Sequence, residues 1–79
     1  MTLAKTEEEW GERASAFLKA KMKEAGITYG DLVKRLKKHG FKETEGSITM
    51  KLKRGTFSST FFLACLAAME LEGVVLEEI

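Results

Sequence analysis

Apolar side chains recur along this chain at the spacing of helix faces, in blocks separated by glycine. Trp10, Ala14, Phe17, Leu18, Met22 and Ala25 follow one another at steps of 4, 3, 1, 4 and 3, which predicts an amphipathic helix over about 7–25. Thr6 and Glu9 have capping-box spacing, the glutamates at 7–9 suit the positive end of the helix dipole, and Gly26 with Ile27 reads as a left-handed stop. A second helix over about 29–39 starts at Thr28, with Asp31 as its reciprocal partner and Ile27 placed to staple to Leu32. Leu32, Val33 and Leu36 form its buried stripe, and Gly40 followed by Phe41 ends it. Thr44 caps a third helix, about 45–54, whose only strongly apolar core positions are Ile48 and Leu52 and which Gly55 closes. So narrow a stripe leaves most of that helix in water.

The fourth helix, about 59–72, is the opposite case. Ser58 caps it, Phe57 can staple to Phe62, and no residue from Phe61 to Met69 is charged. It is either central in the core or has a second face covered by something else. The tail, 73–79, is β-prone after Gly73 and is either a short strand or a loose end. The expectation is an all-α fold: a single compact four-helix domain over 1–79, with Trp10, Phe17, Leu32, Leu36, Ile48, Leu52, Phe62 and Leu66 meeting in one core.

Composition narrows the class. A chain of 79 residues, 44% of them apolar, holds one domain and is too hydrophobic for intrinsic disorder. Its longest uncharged stretch, Gly55 to Met69, is 15 residues, so no membrane span is expected. The N-terminus runs from Met-Thr-Leu-Ala-Lys into glutamates, unlike a signal peptide, and the lone Cys65 points to a reducing compartment; a cytoplasmic location is expected. His39 and Cys65 are the only residues of their kinds. Neither a metal site nor the paired groups of acid–base or nucleophilic catalysis can be assembled from them, so no enzyme, metal or cofactor is expected.

Charge is unevenly distributed. Residues 1–27 sum to zero, residues 28–55 to +5 and residues 56–79 to −4, so a basic zone coincides with the second and third helices. It is either a solvated surface or the footprint of a polyanion. Two short helices, the second polar and basic, followed by an apolar helix are the parts of a helix-turn-helix module.

The segment Thr28-Tyr29-Gly30-Asp31-Leu32-Val33-Lys34-Arg35-Leu36 resembles the "T-x-x-x-L-A-x-x-L" helix of lambda-repressor/Cro-like domains, the xenobiotic-response-element type. Thr44-Glu45-Gly46-Ser47-Ile48 is similar to the start of their recognition helix, Arg54-Gly55 to its end, and Ser58 through Met69 to their fourth helix. The likeness covers roughly residues 12–71, and the whole chain also resembles a small uncharacterised bacterial family with a helix-turn-helix-like core.

The resemblance implies a small transcriptional regulator that places helix 45–54 in the major groove of double-stranded DNA, usually as a homodimer. On that reading Ser47, Thr49, Met50 and Lys51 lie toward base edges. Lys38, Lys42, Lys53, Arg54 and the caps at Thr28 and Thr44 hold phosphates. Phe61, Cys65, Met69, Val74 and Val75 are the candidate dimer surface. The alternative is a protein-interaction module on the same fold, because Glu45 and Gly46 fall where such domains place their first base-reading side chains.

Overall fold

In the computed structural model, which describes residues 3–76 and 79, the chain folds into four helices: α1 (Glu7–Ala25), α2 (Tyr29–Lys37), α3 (Glu45–Arg54) and α4 (Ser59–Ala68). Each begins at a hydroxyl cap. Thr6, Thr28, Thr44 and Ser58 accept hydrogen bonds from the N–H groups of Glu9, Asp31, Ser47 and Phe61. The caps of α2 and α3 are closed boxes, since Asp31 and Ser47 return a bond to the cap N–H. At α1 the Glu9 carboxylate instead accepts from the Lys5 N–H at 3.2 Å.

Three helix ends share one device. A residue in the left-handed conformation (Gly26, φ +68°; Gly40, φ +86°; Glu70, φ +59°) is followed by an apolar residue. The N–H of that residue reaches back five positions: Ile27 to Met22, Phe41 to Leu36 and Leu71 to Leu66. Each bond satisfies an orphan carbonyl and folds the apolar side chain onto the core. Gly55, at φ +71°, ends α3 with a single bond to Lys51.

The core is assembled from all four helices. Leu18, Leu32, Leu36, Ile48, Leu52, Phe61 and Cys65 are each at most 2% exposed. α2 packs on α3 and α4, and α1 on α3. Phe17 of α1 meets Phe62 of α4 with ring centroids 6.4 Å apart, and Phe57 stacks on Phe62 at 6.2 Å, as the staple requires. Arg35 on α2 ties down the end of α4, its guanidinium donating to the Ala68 carbonyl at 2.9 Å.

Six expectations are corrected. The fourth helix stops at Ala68, not near 72, because Glu70 supplies the left-handed stop without being glycine. The second stops at Lys37, with residues 38–40 forming the turn. Trp10 is 37% exposed and outside the core, Ala25 is exposed, and Phe61 rather than Phe62 is the central aromatic. The tail is no strand: Val74 and Ile79 fold back onto the core, and residues 77–78 lie outside the described residues.

The displacement of Trp10 has a steric cause. α1 crosses the end of α3 at Gly11, where a Cβ would run into the Gly55 carbonyl oxygen and stand 3.1 Å from its carbon. That close backbone approach turns positions 11, 15, 18 and 22 inward and leaves Trp10 at the edge. No described helix is long and apolar enough to cross a membrane.

Candidate nucleic-acid interface

α3 has two unequal faces. Ile48 and Leu52 are 0% and 2% exposed, anchoring one side. Across the helix axis, at steps of 4 and 3, stand Gly46, Met50 and Lys53, with Thr49 beside them, and all four are exposed. The Thr49 hydroxyl donates to the Glu45 carbonyl one turn back at 2.7 Å.

Two of the expected base-facing residues are turned elsewhere. Ser47 Oγ accepts from the Thr44 N–H and donates to Glu43 Oε1 at 2.6 Å, so capping consumes it. Lys51 Nζ bonds Glu43 Oε2 at 2.5 Å and lies 4.7 Å from the centroid of the Phe61 ring. Both residues flank the buried stripe, and neither belongs to the outward face. Thr49 and Met50 remain on it.

The cations expected at phosphates do not converge. Lys38, Lys42, Lys53 and Arg54 are all exposed. Arg54, however, lines a groove with Glu7, Glu8, Trp10 and Phe57, beside the start of α1. Lys38 lines a different cleft, with Arg35, His39 and Glu70, at the end of α4. The cap at Thr28 is partly screened, and Thr44 is exposed. A Cβ on Gly30 would lie 3.4 Å from Glu45 Oε2 and 3.8 Å from Thr28 Oγ1, so the Glu45 carboxylate stands over the first turn of α2. An anion there takes the position a phosphate would occupy at that helix end. The Thr28 N–H, donated to the Asp31 carboxylate, holds the Asp31 pKa below its ordinary value.

Three of the expected dimer residues are core. Phe61 and Cys65 are 1% exposed and Met69 7%, so none of them is available to a second copy. The single-sequence pattern cannot distinguish a helix that is central from one that is covered by a partner, and here it is central. Val74 is half-buried against the core, while Val75 is exposed. Burial, with the nearby Glu43 charge adding to it, pushes the Cys65 thiol up to about 12, which leaves it neutral at physiological pH.

Two site residues escape a sequence reading. Arg35 belongs to a basic run and looks like surface charge. Glu43 looks like one loop acid among several, although its spacing of 4 to Ser47 and 8 to Lys51 extends a single helical line. Burial would raise the pKa of Glu43, but the bonds from Lys51 and Ser47 outweigh it and hold the carboxyl below its ordinary value. No three His, Cys, Asp or Glu side chains among the described residues gather as a metal ion requires.

The candidate face thus lies on a small all-helical domain built around a half-exposed third helix. The chain belongs to a family described as a domain of unknown function (DUF6471), whose model matches residues 10–74. No curated protein and no solved structure matches it.

Proposed function

We propose that this chain is a DNA-binding module, a small bacterial regulator of transcription that presents α3 to the major groove. The observation that carries the reading is the outward face of α3. Met50 and Lys53 stand opposite the fully buried Ile48 and Leu52 with Thr49 exposed beside them, and Lys42 and Arg54 are exposed nearby in sequence. A helix of 10 residues with one narrow buried stripe fits a groove about 12 Å wide. The order of the helices and the packing of α2 on α3 support this reading, with residues 38–44 making a longer connection than the tight turn of a helix-turn-helix unit. On this reading Met50 offers an apolar contact to thymine methyl groups and Thr49 a side chain to base edges, while Lys42, Lys53 and Arg54 hold phosphates; Lys38, in the cleft at the end of α4, is left out of the contact. Ser47 and Lys51 act within the protein.

A salt-dependent titration against random duplex DNA tests this. Binding should weaken steeply with salt, and Lys53→Glu with Arg54→Glu should flatten the slope by about two units while leaving the fold intact, because both side chains are exposed. Absence of binding at low salt removes the proposal.

A protein-interaction module is the second reading, favoured by the Glu45 carboxylate over the start of α2. Glu45→Gln separates the two. Tighter DNA binding follows if that charge merely repels phosphate; unchanged DNA binding with loss of a protein partner assigns the face to a protein.

A further inference from the structure

Glu43 stands in the connection before α3, with its side chain only 7% exposed. Its two oxygens are divided between two successive turns of that helix: Oε1 accepts from Ser47 Oγ at 2.6 Å, and Oε2 from Lys51 Nζ at 2.5 Å. The Lys51 ammonium in turn lies over the Phe61 ring, so one line of contacts runs from the connection through α3 to α4. The apolar anchorage of α3 is only Ile48 and Leu52, one turn apart on a single stripe. Contacts along one stripe resist lifting of the helix more than they resist its rotation about its own axis. Directional bonds on the flank of that stripe supply the missing constraint. Replacing both partners of such a pair by apolar groups of similar volume is often neutral, unlike removing one of them.

We infer that Glu43 is a positioning residue: through Ser47 and Lys51 it fixes the rotation of α3 and hence the presentation of Thr49, Met50 and Lys53 to a DNA duplex. The inference rests on the DNA-binding reading above. It goes beyond that reading by assigning the orientation of the face to a side chain outside it.

The test compares the full chain with the charge-neutral pair Glu43→Leu/Lys51→Met in salt titrations against random duplex DNA. A rotated helix engages fewer phosphates at once. The expected result is a salt slope flatter by about one unit and affinity about tenfold lower at about 50 mM salt. Loss of folded protein alone would lower the apparent affinity and leave the slope untouched. An unchanged slope therefore overturns the inference while the DNA-binding reading stands. Failure of the unaltered protein to bind removes both. If the double variant does not fold, the isosteric Glu43→Gln is held to the same criterion, and an unchanged slope overturns the inference there too.

Discussion

Glu70 is the one described residue other than glycine with positive φ, at +59°. It occupies the position that Gly26 and Gly40 occupy after α1 and α2, with Leu71 bonded back to Leu66 as Ile27 is to Met22. The left-handed conformation costs a side-chain-bearing residue about 1–2 kcal/mol, which glycine avoids, at the expense of a more flexible unfolded chain. Glu70→Gly is accordingly expected to stabilise the domain by about 1 kcal/mol and raise Tm by about 5 °C, measured by thermal unfolding. An unchanged Tm would mean that Glu70 is compensated in the cleft it shares with Arg35, Lys38 and His39. The same residue explains the overlong fourth helix in the sequence reading: glycine marked three helix ends, and a glutamate in that role carries no mark. Gly11 is the converse case. It occupies the inward face of α1 because it is small, and a hydrophobicity pattern registers no signal from smallness.

At the scale of elements, the helix starts were legible because each cap is a local event. A hydroxyl three residues before an N–H is written in consecutive residues, and Thr28, Thr44 and Ser58 could be placed without the fold. The flanks of α3 were not legible, because what Ser47 and Lys51 bond depends on where the connection carries Glu43. That connection also gives the domain an acid-sensitive joint. The Glu43 carboxyl is held below its ordinary value of 4.5, so the folded state favours its charged form. Its stabilising contribution is complete above the unfolded-state value and is lost as pH falls through the folded-state value. Wild type should therefore lose Tm relative to Glu43→Gln as pH is lowered from 7 to about 3, the gap between the two closing toward acid. Parallel curves for the two proteins would show that the carboxylate contributes nothing specific in the folded state.

The whole molecule decides what a helix without charge is for. Read alone, α4 and the β-prone tail asked for a covering surface, and a second copy was one way to supply it. The domain supplies it internally: α2 packs on α4, Phe17 and Phe57 close on Phe62, and the tail returns Val74 and Ile79 to the core. Beyond Ser59 at its start, α4 still shows to solvent a short strip of Thr60, Leu63 and Ala67, with Leu63 61% exposed. A stable association buries about 800 Å² on each partner, and single exposed apolar side chains are ordinary on monomers. The free protein is therefore expected to sediment as a monomer at tens of micromolar, and Leu63→Asp to leave both sedimentation and Tm nearly unchanged. A dimer that Leu63→Asp dissociates would show the strip to be an interface, and would put two α3 helices on one particle, as a palindromic DNA site requires.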